Sequence, residues 1–144
     1  MREGRSKTRS PEMDRAVLEA IQDRLQSAPQ MGATTITTDD GQTKLLAVMT
    51  AASTPEQITS RFLDIRWYTN GDFRIHYQED WENRVWRQRW DRHPSTHNKR
   101  DHFHPPPDAT TPGTDRSWPN DFQDVCKLVI NQIRERTVEI WETG

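Results

Sequence analysis

Apolar positions recur along the chain with two different periods. Near the N-terminus Met13, Val17, Ala20, Ile21 and Leu25 repeat at helical spacing until Pro29 ends the run. Ser10 followed by Pro11 supplies a capping hydroxyl and a proline suited to the first helical position, so a helix is predicted over 11–26. Two weaker alternating stretches follow, 34–38 and 44–50, joined through the turn sequence Asp39-Asp40-Gly41. Ser53 or Thr54, ahead of Pro55-Glu56, offers the start of a short helical turn.

The period-2 signal is clearest in the middle of the chain. Leu63, Ile65 and Trp67 alternate with Asp64 and Arg66, and Phe73, Ile75 and Tyr77 alternate with Arg74, His76 and Gln78. A two-residue Asn70-Gly71 turn would set Trp67 opposite Arg74 and mix the faces. A three-residue Thr69-Asn70-Gly71 loop, with Gly71 in the left-handed region, instead pairs Trp67 with Phe73 and Ile65 with Ile75. That register keeps one face apolar and is the one expected. A third strand over 84–91 sets Trp86 and Trp90 on one face and Arg87, Arg89 and Asp91 on the other. With the tryptophans on the apolar side, the opposite side gathers Asp64, Arg66, Arg74, His76, Arg87, Arg89 and Asp91. Such a face is either merely solvated or a working surface.

After Pro119, the residues Phe122, Val125, Cys126, Val129, Ile130, Ile133 and Ile140 form a helical stripe. The predicted fold class is α+β: a small antiparallel sheet with an N-terminal helix and a C-terminal amphipathic helix packed on one face. One domain is expected over 11–144, behind a disordered basic tail at 1–10. Residues 92–118 have no periodicity, five prolines and four histidines, and are expected to form a long functional loop.

Composition refines this. The 144 residues suit one domain, and six tryptophans supply apolar area where aliphatic residues are sparse. The lone Cys126 excludes an intrachain disulfide framework and a multi-cysteine zinc site, and on its apolar stripe it reads as packed core. No apolar run follows the basic N-terminus, so a soluble cytoplasmic protein without membrane contact is expected.

The net charge of −2 hides an uneven distribution. Within 84–104 there are six Arg or Lys against two acids, and all five histidines (His76, His93, His97, His102, His104) fall within 29 residues. Basic charge mixed with aromatics and titratable histidine suits an anionic partner such as RNA. Histidine titrates near neutrality and can act as general base and general acid, while arginine stays charged and forks onto phosphate oxygens. Those parts suffice for metal-free RNA cleavage by attack of the 2′-hydroxyl on the adjacent phosphate. His102-Phe-His104, pointing both rings to one side of a strand, could also ligate a transition metal with His93 or His97 and Asp91 or Asp101. The surrounding cations would repel an ion, so no tightly bound metal and no cofactor are expected.

A strand ending in Arg89-Trp-Asp91, then His93, then a proline-containing loop with His102-Phe-His104, then a final helix, resembles the TumE-type toxins of toxin–antitoxin systems, particularly archaeal members, over about 44–141. The chain departs from that pattern in carrying Arg92 after Asp91, where the family usually has Asn. The resemblance implies a toxin with endoribonuclease activity and a cognate antitoxin partner, a DNA-binding protein of helix-turn-helix type. It implies a catalytic set of Arg89, Asp91, His93, His102 and His104, which must converge in space. Asp91 is expected to orient a histidine or Arg89. His76, Arg87, Arg92, His97 and Arg100 are the candidate substrate-binding residues, with the loop folded back over the polar face above His76. Homo-oligomerisation stays open. The alternatives are a non-enzymatic module that grips nucleic acid or a partner through its basic face, and a His-rich metalloprotein.

Overall fold

The computed structural model describes residues 12–94 and 100–143. In chain order they form α1 (Arg15–Gln26), β1 (Met31–Asp39), β2 (Gln42–Met49), β3 (Ile58–Trp67), β4 (Phe73–Trp81), β5 (Val85–Arg92), β6 (Asp101–His104), β7 (Thr114–Asp115) and α2 (Phe122–Thr143). The strands make one sheet in the order β1-β2-β3-β4-β5-β6-β7, antiparallel throughout. The expected α+β class holds. No helix among the described residues is long and apolar enough to cross a membrane.

The helix expected over 11–26 begins at Arg15, because Asp14 caps it through Val17 N–H (3.1 Å) and the residues just before are held extended against the β3–β4 turn. There Thr69 N–H donates to the Glu12 carbonyl (2.8 Å), and Asp14 N–H to that of Trp67 (2.8 Å). The Ser10-Pro11 start and the 1–10 tail lie outside the described residues. Asp40 (φ 53°) and Gly41 (φ 75°) form the two-residue turn between β1 and β2. The short helical turn falls at Ala51–Ser53, capped by Thr50, a few residues earlier than its expected start.

In the central hairpin Trp67 pairs with Phe73 and Ile65 with Ile75, the register that keeps one face apolar. Tyr68 N–H donates to the Asp72 carbonyl (2.9 Å), leaving Thr69-Asn70-Gly71 as the loop, with Gly71 at φ 89°. Trp67 and Phe73 stack with centroids 4.6 Å apart. Leu18, Ile21 and Leu25 of α1 and Val125, Val129 and Ile133 of α2 join Leu63, Ile65, Phe73, Ile75, Tyr77 and Trp90 in one core. Both helices therefore cover the same sheet face. Trp90 is fully buried, whereas Trp86 is half-buried beneath the Arg136 guanidinium, 3.7 Å above its ring.

Charged residues point into this face as well, Glu79 and Arg61 among them. Glu79 (0% exposed) accepts from Arg136 Nε and Nη2 (both 2.8 Å), Tyr77 Oη (2.7 Å) and Trp81 Nε1 (2.9 Å). Arg61 (1% exposed) donates to Thr137 Oγ1 and the Ser53 carbonyl, each at 2.8 Å. Buried charges persist when paired and fully hydrogen-bonded, and these two tie the second half of α2 to β3, β4 and the turn after β2.

The span 92–118, expected as a loop, contains two strands. β6 runs along β5, pairing Arg89 with His104, Trp90 with Phe103, Asp91 with His102 and Arg92 with Asp101. Polar side chains on both its faces hide it from hydrophobic patterning. Its place comes from the backbone ladder and from Phe103, which lies 6.0 Å from Trp90 between ring centroids.

Candidate active site

Strand alternation sets Arg87, Arg89 and Asp91 of β5 on the face away from the helices. The β5–β6 register then puts His104 beside Arg89 and His102 beside Asp91, both rings on that same face. His93, just past β5 and held by its N–H to the Arg100 carbonyl (2.9 Å), continues the same parity. The five residues of the implied catalytic set thus meet around one carboxylate oxygen. From Asp91 Oδ2, His104 Nε2 lies at 3.0 Å, Arg89 Nε at 3.1 Å, His93 Nε2 at 3.4 Å and His102 Nε2 at 3.6 Å. The His93 and His102 ring centroids are 4.6 Å apart, and those of His102 and His104 5.0 Å. Asp91, His102 and His104 are buried, while the His93 side chain is 47% exposed and gives the cluster its opening to solvent.

Backbone carbonyls fix two of the rings. His104 Nδ1 lies 2.9 Å from the Thr110 carbonyl and His93 Nδ1 2.8 Å from that of Pro94. A carbonyl only accepts, so each Nδ1 carries a hydrogen and Nε2 is the atom that gains or loses a proton. Asp91 Oδ1 and His104 Nε2 are buried without a hydrogen bond, the 3.0 Å approach of the latter to Oδ2 being out of bonding geometry. Burial, with Arg89 and His102 alongside, lowers the His104 pKa despite the Asp91 carboxylate and the Thr110 carbonyl.

Arginines crowd the neighbouring strands. Arg74 pairs across the sheet with Asp91 on one side and Arg66 on the other, and His76 stands opposite Arg89. Burial, then Arg89 and Arg66, lower the Arg74 pKa. Arg66, Arg74 and Arg89 share Asp64 and Asp91 on this face, and Lys44 adds to the positive side, 3.5 Å from Asp64. Three guanidiniums beside a histidine cluster make a surface for an anion. Arg66 and Arg74 are absent from the sequence-based site set, although the wet-face pattern contains both; the missing signal is the β4–β5 register, which seats Arg74 against Asp91.

The structure distributes the candidate substrate-binding residues unevenly. His76 faces the same side, its Nε2 3.0 Å from Gln78 Oε1, and burial followed by Arg74 and Arg89 lowers its pKa. Among the described residues no loop folds over it: His102 and His104 arrive on β6, between β5 and β7 in the plane of the sheet. Arg87 also lies on this face, where its backbone pairs with Pro107 and Ala109. Arg92 does not join them. It has the parity of Trp90, so it enters the helix-covered side, forking onto Asp101 (2.7 and 3.1 Å) and reaching the Trp118 (2.8 Å) and Pro119 (3.0 Å) carbonyls. Arg100 turns away to pair with Asp72 of the β3–β4 turn. His97 lies outside the described residues.

Cavities elsewhere carry less chemistry. One of about 650 Å³ between β2, β3 and the end of α2, and one of about 520 Å³ beside Trp141, have no histidine in their walls. No curated protein and no solved structure matches the chain. Residues 18–137 match the family model described as Toxin TumE, a span that includes the whole sheet and every member of the histidine cluster, and the chain belongs to this family of toxins, which act in toxin–antitoxin pairs.

Proposed function

We propose that this toxin is an endoribonuclease that cleaves RNA by acid–base chemistry without a metal ion, at Arg89, Asp91, His93, His102 and His104. The observation that carries the reading is the convergence of three imidazole Nε2 atoms and one guanidinium on Asp91 Oδ2. A base takes the proton of a ribose 2′-hydroxyl, the 2′-oxygen attacks the adjacent phosphorus, and the P–O5′ bond breaks. A second group returns a proton to O5′, leaving a 2′,3′-cyclic phosphate and a 5′-hydroxyl. His93, the exposed ring, meets the substrate, and the buried pair completes the proton path.

Asp91 is a positioning residue that orients His93, His104 and Arg89. Arg89, with Arg66 and Arg74, neutralises the charge that develops on the phosphate. Arg87 and His76 extend the cationic track for the phosphate backbone along the same face. The protein acts in the cytoplasm, and a helix-turn-helix antitoxin silences it.

The test is cleavage of RNA by antitoxin-free protein in excess chelator, together with growth inhibition on expression alone. His93→Ala, His104→Ala and Arg89→Ala should each lower cleavage by roughly 10²–10⁴ while melting like the parent. Undiminished growth inhibition by all three folded variants would replace this reading with a binding module that grips its target through the basic face.

A further inference from the structure

We infer that the same cluster is a transition-metal site, with His102 Nε2, His104 Nε2 and one Asp91 oxygen as ligands and His93 at its solvent-facing side, and that loading it silences the acid–base chemistry. The silencing rests on the ribonuclease reading; the site itself does not.

The spacing is that of a coordination shell. Ligands at about 2.0–2.1 Å from a tetrahedral ion stand ~3.4 Å from one another, and the His102 and His104 nitrogens stand 3.6 and 3.0 Å from Asp91 Oδ2. The ligand atoms of Asp91, His102 and His104 all lie within 4.8 Å of one another, in three buried residues.

The hydrogen-bond pattern favours an ion over protons. His93 and His104 each give Nδ1–H to a backbone carbonyl, the outer contact that fixes a metal-bound imidazole. In the neutral ring Nε2 then presents a lone pair to a carboxylate oxygen, so two acceptors face each other with nothing between. One divalent cation would satisfy the buried His104 Nε2 and its carboxylate neighbour at once. Asp91 Oδ1, buried without a hydrogen bond, is free to take Arg89 when Oδ2 turns to the ion.

The sequence-based expectation that nearby cations exclude a metal also changes. Asp101 draws Arg92 to the opposite face and Asp72 holds Arg100 at the β3–β4 turn, leaving Arg89 as the described cation in direct contact with Asp91. Two imidazoles and a carboxylate, with the fourth position open toward His93 and solvent, suit zinc, nickel or copper. An ion there occupies the lone pairs that proton transfer needs.

The experiment uses full-length protein stripped with chelator, titrated with zinc against a chromophoric competitor and, separately, with cobalt followed by visible absorption. One ion per chain is expected, with cobalt bands of tetrahedral intensity. His104→Ala and His102→Ala should each weaken zinc at least tenfold, His76→Gln should leave affinity unchanged, and Arg89→Ala should tighten zinc while losing cleavage. RNA cleavage should fall with one equivalent of zinc and return with chelator. Absence of saturable binding, or binding indifferent to both histidine variants, would overturn the site. Stimulation of cleavage by zinc would overturn the silencing and the metal-free mechanism together. RNA left intact by stripped and loaded protein alike would sink the ribonuclease reading, with the titration still deciding the site.

Discussion

Replacing Arg136 by Met removes the guanidinium and keeps most of the stem that packs on Trp86. Glu79, with no solvent contact, then loses two 2.8 Å bonds and its countercharge, and retains only the donors of Tyr77 and Trp81. Breaking a buried ion pair on one side costs about 3–5 kcal/mol. The lost stacking of Arg136 on Trp86, 3.7 Å from the ring, adds at most a fraction because that edge is half-exposed. Four kcal/mol is a reasonable centre, and at ~2–4 °C per kcal/mol for a chain of this size Tm falls by about 12 °C. The double variant Glu79→Gln/Arg136→Met leaves no charge stranded and should recover more than half of the loss. Thermal melts followed by circular dichroism, with urea titrations alongside, measure both. Arg136→Met within about 1 kcal/mol of the parent, or a double variant no better than the single, would refute the claim that this pair holds α2 to the sheet.

Burial pushes the Cys126 thiol up to about 11, so native protein should resist a thiol reagent at pH 8 and react with one equivalent only when unfolded in urea; rapid labelling of the folded chain would contradict its placement in the core. The folded-state pKa of His76 is depressed by burial and by Arg74 and Arg89, so its contribution to stability is present above the unfolded value near 6.5 and is lost as pH falls below it. His76→Gln should flatten the pH dependence of stability between about pH 7 and 5, and an unchanged slope would count against it. At Gly113 a Cβ would stand 2.5 Å from the Phe103 carbonyl oxygen and 3.2 Å from His104 Nδ1. Gly113→Ala must therefore shift β6, and growth inhibition should drop at least tenfold with a Tm change of only a few degrees; retained inhibition would show that His104 tolerates displacement.

The central hairpin was legible because two independent signals agreed: alternation over 63–67 and 73–77, and Gly71 where a left-handed residue is required. Parity also separated Arg89 and Asp91 from Trp90, and the same parity places Arg92 with the tryptophans, which its charge disguised. β6 was not legible. Asp101, His102, Phe103 and His104 show no apolar period, and what defines the strand is the edge of β5, a long-range partner. Arg61 and Glu79 occupy apolar positions of their strands, and their partners in α2 lie 76 and 57 residues away. Local pattern carries no record of pairings at that distance. The chemistry of the cluster was visible as composition, whereas its geometry, with carbonyls of Thr110 and Pro94 fixing two rings, required the fold.

A meander in which each strand pairs with its neighbours in sequence can assemble in the order in which it is synthesised, since its contacts are local. The two faces of this sheet are completed at different times. The histidine face is complete once Trp118 has emerged, with Asp115 paired to His102 and Trp118 Nε1 donating to the Asp91 carbonyl. The other face is covered by α1 alone, with Glu79 lacking Arg136 and Trp90 Nε1 lacking Gln132, until the 22 residues of α2 have left the ribosome. A nascent chain therefore holds its histidines before it holds a core, and a chain arrested before Phe122 should be cleared by proteases, measurable as a short half-life, without slowing growth. The helix that completes the core packs on the face opposite the cluster.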